Sequence, residues 1–219
     1  YEVKTGSLPA FNVAGARGEA LRFDGYSNFI AAKLPQQTLT QMTLSLWCAA
    51  EAYPMMNTAE AENTVTYTTL VGNLDEASKK GLSIMLSSQG DMKVRFFTGG
   101  WGPYEIVASK KLPRTQWNHL VVTLDANRKL TLYNNGEQLG QSNTMGSIDL
   151  GTADFMIGKS AEEKKAGNFH INTFCGLIDD ITLTDQASVP DGSVVGSAEN
   201  APDYKYPASR YAANDFASL

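Results

Sequence analysis

The chain is poor in the residues that build metal clusters, disulfide frameworks and membrane spans. It has two cysteines, Cys48 and Cys175, and two histidines, His119 and His170, in 219 residues. Two widely separated cysteines imply neither a zinc site nor a stapled scaffold. Both lie in apolar, strand-like stretches, where a free thiol behaves as a small hydrophobe. A bridge between them needs Cα atoms within about 7 Å, so pairing depends on whether their strands are neighbours. No run approaches the roughly 18 apolar residues of a membrane helix, and no charged-then-apolar leader opens the chain. A start at Tyr1 reads as a mature or truncated chain, which leaves export open. Positive charge is also short: 18 Lys and Arg stand against 23 Asp and Glu, a net charge of -5. That balance disfavours nucleic acid, which demands a basic stripe to displace counterions, and makes acidic glycans and anionic membranes poor partners.

What the sequence has in quantity is strand signal. Ala20-Leu21-Arg22-Phe23-Asp24-Gly25 alternates and ends on a turn, and Phe29-Ile30-Ala31 resumes after it. In Met42–Ala49 the residues Met42, Leu44, Leu46 and Cys48 share one face and Thr43, Ser45 and Trp47 the other. Leu82–Leu86 and Lys93–Phe97 pair as a hairpin across Ser88-Gln89-Gly90-Asp91. Leu130–Tyr133 follows His119–Leu124, and Asn134-Asn135-Gly136 tolerates the positive φ angles of a tight hairpin turn. Thr68–Gly72, Glu105–Ala108, Phe155–Gly158 and Gly176–Thr184 complete the set. Alternation in the last places Leu177, Asp179, Ile181 and Leu183 on one face, a carboxylate among apolar side chains that calls for compensation. Recurrent strands without a long amphipathic helix predict an all-β fold of two antiparallel sheets packed face to face.

Glu51–Thr64 lacks periodicity and reads as a long surface loop. Beyond Thr184 the pattern ends, so the expected division is a sandwich over 1–186 and a linker or tail over 187–219. Tyr204, Tyr206, Tyr211 and Phe216 are too many aromatics for a loose tether, so the tail is expected to pack on a surface, its own or a neighbour's.

The blocks Ala20–Gly25, Thr43–Trp47, Trp117–Val121, Leu132–Gly136, Ile157-Gly158 and Gly176–Ile181, in that order, resemble the laminin-G-like jelly rolls of the concanavalin A-like superfamily. The resemblance covers about 18–186. It implies a two-sheet jelly-roll sandwich used for carbohydrate binding or adhesion, often attached to an exported bacterial glycoside hydrolase, with the tail leading to a covalently linked catalytic domain. Fructan- and arabinan-cleaving enzymes carry similar attachments. It also implies a structural calcium ion on the convex side, for which Asp179 would be the C-terminal-strand aspartate, with Asp24 and Gly25 in the neighbouring turn.

Catalysis finds no support in the residues. A retaining glycosidase needs two carboxyl groups about 5–5.5 Å apart. Glu60, Glu62, Glu162 and Glu163 lie in polar, loop-like segments, and Asp179 and Asp180 are adjacent and point to opposite faces. His119 reads as a strand residue whose ring meets a backbone partner, and neither histidine has an evident nucleophile beside it. Sugar binding needs exposed rings flanked by amides and charged groups. Trp101 and Tyr104, in the Gly/Pro-rich turn Thr98–Tyr104, are the candidate platform, with Asn73, Arg95, Asn168 and His170 as polar contacts; the alternative for Trp101 is a lid on the sandwich edge. Trp47 and Trp117 read as structural. The expected function is a non-catalytic, glycan-binding or domain-organising module. A spacer that binds no sugar is the alternative, and an independent hydrolase is third.

Overall fold

The computed structural model describes residues 11–54, 65–161, 165–166, 169–170, 172–190 and 203–205. In chain order the strands are β1 (Phe11–Ala14), β2 (Glu19–Asp24), β3 (Ile30–Ala32), β4 (Thr38–Leu39), β5 (Met42–Ala52), β6 (Tyr67–Gly72), β7 (Leu82–Ser87), β8 (Met92–Thr98) and β9 (Trp101–Val107). They continue as β10 (Asn118–Leu124), β11 (Lys129–Asn134), β12 (Glu137–Asn143), β13 (Ile148–Asp149), β14 (Phe155–Ile157), β15 (Lys165–Ala166), β16 (Phe169–His170) and β17 (Cys175–Thr184). A seven-stranded sheet runs β1-β2-β17-β5-β10-β11-β12 and a six-stranded sheet runs β3-β14-β6-β7-β8-β9; their pairings are antiparallel. No helix occurs among the described residues. The all-β, two-sheet antiparallel jelly-roll sandwich is therefore present.

Alternation explains which side chains meet. Met42, Leu44, Leu46 and Cys48 of β5 face Ile84, Leu86, Val94 and Phe96 of the other sheet in one core, all fully buried. Each such aliphatic or aromatic side chain contributes roughly 1.5–3 kcal/mol by leaving water. Burial pushes the Cys48 thiol up to about 12. Cys48 lies opposite Ile178 and Cys175 opposite Ala52, so the two cysteines are out of register and both are free.

The alternate face of β5 carries a second, smaller apolar cluster on the outside of the seven-stranded sheet. Trp47, Ala49, Ala20, Trp117 and Leu177 are buried there, and Val13, Ala16 and Tyr204 cover them. Tyr204 of the tail thus docks on the domain's own surface. The Tyr204 ring meets Trp117 edge-on at 6.5 Å, and its hydroxyl donates to Glu51 Oε1 at 2.9 Å, while Glu51 Oε2 pairs with Arg22 at 2.9 Å. The chain just after β17 lies on this face too: Thr43 donates to the Gln186 carbonyl at 2.7 Å and accepts from Ser188 N–H at 2.8 Å. Tyr206, Tyr211 and Phe216 lie outside the described residues.

Two expectations need correction. The aperiodic stretch does not begin at Glu51, because β5 runs on to Ala52 and pairs Ala52 with Cys175. Nor do Leu177, Asp179, Ile181 and Leu183 share a face. Leu177 packs in the outer cluster and Asp179 lies opposite the outward Trp47, whereas Ile181 and Leu183 pack against the inner core. The cause is a β-bulge: Asp179 pairs with Trp47 and Thr182 with Ser45, so Asp180 and Ile181 oppose the single residue Leu46. Asp180 has φ 49°, the left-handed conformation that such an extra residue adopts.

Candidate functional site

The outer face of the six-stranded sheet bears a shallow groove of about 170 Å³. Its floor is made of cross-strand rows. Thr69, Met85 and Lys93 lie side by side in one row, and Gly72, Ser83, Arg95 and Glu105 in the next. Period two dictates this, since Val94 and Phe96 on the alternate positions of β8 are buried in the core. Tyr67, Ser160 and Asn172 line one side and Glu76 the other.

The charged groups form a chain from Glu76 through Arg95 and Glu105 to Lys93. Arg95 Nη1 lies 2.7 Å from Glu76 Oε1 and its Nε 2.8 Å from Glu105 Oε1, and Lys93 Nζ lies 3.1 Å from the same Glu105 oxygen. The Arg95 Nε contact is close but not aligned as a hydrogen bond, and that buried atom has no hydrogen-bond partner. Lys93 Nζ also sits 4.0 Å above the centre of the Tyr67 ring, a cation–π contact. Burial, and then the negative charges of Asp91 and Glu105, push the Tyr67 hydroxyl up. Glu76 and Glu105 both lie at the Arg95 guanidinium, so the place between them where a scissile bond would have to sit is taken.

Of the residues expected to bind sugar, Arg95 lines this groove, while Trp101, Tyr104 and Asn73 do not join it. Tyr104 points to the core, its ring 5.8 Å from Phe96. Trp101 is 69% exposed but pairs with Thr98, two residues on from the core-facing Phe96. An irregularity between Phe96 and Thr98 gives β9 an extra residue there, which puts Trp101 on the opposite side of the sheet from Arg95, at the end of the sandwich. Asn73 is buried: its Nδ2 donates to the Leu150 carbonyl at 2.6 Å and its Oδ1 accepts from Leu82 N–H. It braces a turn and is buried away from any ligand. Asn168 and the side chain of His170 lie outside the described residues. Tyr67, Lys93, Glu76 and Glu105 were missed, although the alternation Met92-Lys93-Val94-Arg95-Phe96 already put Lys93 beside Arg95.

The residues expected to hold calcium, Asp179, Asp24 and Gly25, do not converge on one point. Asp24 Oδ1 accepts N–H bonds from Tyr26, Ser27 and Asn28, and its Oδ2 accepts the Ser27 hydroxyl at 2.6 Å. Burial alone would raise its pKa, but the bonds from Ser27, Tyr26 and Asn28 outweigh it and hold the carboxyl below its ordinary value. The Gly25 carbonyl accepts the Thr173 hydroxyl. Asp179, buried as expected, accepts the Arg17 N–H at 2.8 Å. Asp24 lies opposite Cys175, four residues along β17 from Asp179 and so roughly 13 Å away. No group of three His, Cys, Asp or Glu side chains is placed to hold a metal among the described residues. Protein hydrogen bonds compensate these carboxylates, so treatment with a chelator should leave the melting temperature unchanged; a fall reversed by added calcium would show an ion site after all.

His119 stacks on Trp47 with ring centres 4.8 Å apart, in place of the backbone contact expected for its ring, and its buried Nδ1 has no hydrogen-bond partner. Burial pushes its pKa down, the Arg17 charge adds to this and Asp180 opposes it. Among the described residues no hydroxyl or thiol is hydrogen-bonded to this Nδ1.

A family model described as the concanavalin A-like lectin/glucanases superfamily matches residues 24–191, most of the chain. The chain belongs to this superfamily. Several domains of known structure share its fold at low identity. The binding domain of Paraclostridial Mosquitocidal Protein 1 superposes with a TM-score of 0.63 at 18% identity over 85% of this chain, although the chain spans only 44% of that structure. Domain 4 of AbnA, a GH43 extracellular arabinanase from Geobacillus stearothermophilus crystallised with arabinotriose, gives 0.60 at 23% identity, covering 88% of this chain and 81% of that one. The CBM40 of the Ruminococcus gnavus IT-sialidase, bound to α2,3 sialyllactose, gives 0.55 at 12% identity over 77% and 91%. No curated protein matches the sequence.

Proposed function

We propose that this domain binds carbohydrate in the groove of the six-stranded sheet and does not cleave it. The observation that carries the reading is the pair of polar cross-strand rows on that face, where Arg95, Lys93, Glu76 and Glu105 hold one another in place before any ligand arrives. Preorganised donors and acceptors side by side suit sugar hydroxyls, each of which can donate and accept. Support also comes from the fold shared with an arabinanase domain that holds arabinotriose and a sialidase module that holds sialyllactose. By the same analogy the domain serves a larger exported glycoside hydrolase, with arabinan or fructan as first choices of target. No helix among the described residues is long and apolar enough to cross a membrane.

Glycan-array and affinity-gel screening of the wild type, Arg95→Ala and Trp101→Ala tests this. Binding by the wild type should weaken about tenfold or more in Arg95→Ala, as expected for truncating a charged hydrogen-bonding group. Trp101→Ala should bind as the wild type does. The reverse pattern moves the site to the sandwich end, and retention of no glycan by the wild type leaves the domain as a spacer.

A further inference from the structure

We infer that the groove selects uncharged glycans and rejects those bearing a carboxylate. This rests on the reading of the groove as a sugar site and names the ligand class. The charged residues lining it are Glu76, Lys93 and Arg95, and Glu105 pairs with both cations. Two positive and two negative charges therefore cancel within the site, and both cations already have a carboxylate within 3.1 Å.

A uronate or sialate could pair with Arg95 only by displacing Glu76 or Glu105. The displaced carboxylate would remain close by and repel the newcomer, so one ion pair would be exchanged for another at the added cost of two like charges in contact. Glu76 and Glu105 are 46% and 38% exposed, so water screens that repulsion in part but does not remove it at contact distance. The negative charge of Asp91, felt at Tyr67, adds to it.

A neutral sugar meets no such obstacle. One hydroxyl of a vicinal pair can donate to a Glu76 or Glu105 oxygen while its neighbour accepts from the guanidinium, whose five N–H donors are not exhausted by two ion pairs. The guanidinium nitrogens on the groove side, not the buried Nε against Glu105, are the donors for such an acceptor.

Calorimetric titration of the wild type and the Glu76→Gln/Glu105→Gln double variant tests this, with galactotriose and galacturonate trimer of the same linkage as a pair that differs in a hydroxymethyl or a carboxylate at C6. A glycan array on the same proteins supplies the wider neutral and acidic sets. Among retained glycans the wild type should hold neutral ones, with affinity changing less than about twofold when salt is raised tenfold, as contacts without net charge predict. The double variant frees both cations and should bind the acidic trimer about tenfold or more tightly than the wild type does, in a salt-sensitive way. Preference of the wild type for acidic glycans would overturn the inference while leaving the sugar site standing. So would a double variant that melts like the wild type yet gains no acid binding. Retention of nothing on the array would remove the sugar site itself, and this inference with it.

Discussion

Gly176→Ala should melt about 10 °C below the wild type, a loss of roughly 3 kcal/mol at the few degrees per kcal/mol usual for a chain of this length. Gly176 has φ +150° and sits where β17 shifts register against β5, with Cys175 opposite Ala52 and Gly176 opposite Ala50. A Cβ there would lie 2.2 Å from the Ala49 carbonyl oxygen, 2.8 Å from the Phe174 ring and 2.9 Å from Ala50 Cα. Two of these neighbours are backbone atoms of a central strand, which cannot retreat without opening the ladder that joins β17 to β5. Gly136→Ala is the matched control: φ is +79° but nothing lies within 4 Å of the added methyl, so only the conformational cost of about 1–2 kcal/mol applies. Equal melting temperatures for the two variants would mean that the close packing around Gly176 carries no energy.

Trp47→Ala should cost roughly 3–5 kcal/mol, although Trp47 is on the outside of its sheet. The ring is 2% exposed and is held between the stacked His119 and the small residues of the outer cluster. Its removal uncovers Leu177, Ala49 and one face of Trp117, and leaves a void that rigid strands cannot close. Trp101→Ala removes a ring of the same size that is 69% exposed, and should change stability by no more than about 0.5 kcal/mol. Denaturant titration of both proteins decides the matter, and a Trp101→Ala loss equal to that of Trp47→Ala would reverse the roles assigned to the two rings.

Much of the fold was legible because alternation is a local property. The Met42–Ala49 pattern, the hairpin at Asn134-Asn135-Gly136 and the pairing of Leu82–Leu86 with Lys93–Phe97 all appear in β5, β10 to β11, and β7 to β8. Polar β12 escaped notice because its sequence, Glu137–Asn143, buries one residue, Leu139, and shows almost no apolar period. The site was legible only in part. Arg95 could be named from its strand, but Glu76 and Glu105 reach it from other segments, and which residues lie opposite is settled by register, which a single sequence does not contain. Trp101 and Tyr104 misled for the same kind of reason: Trp101 precedes an extra residue in β9, and Tyr104 packs against the core. The buried acid at Asp179 was visible, whereas its partner, the Arg17 N–H, comes from a turn 162 residues away.

The extra residue at Asp180 also sets the direction in which the chain leaves the domain. Without it, Thr182 and Thr184 would point into the core and Ile181 and Leu183 into water. With it, Thr182 faces the Ser45 hydroxyl at 2.7 Å, Thr184 reaches the Gln186 carbonyl, and the following residues settle on Thr43. A single out-of-phase residue thus acts as a points lever for the C-terminal track, turning Gln186 and Ser188 onto the face that bears Trp47 and away from the sheet that bears Arg95.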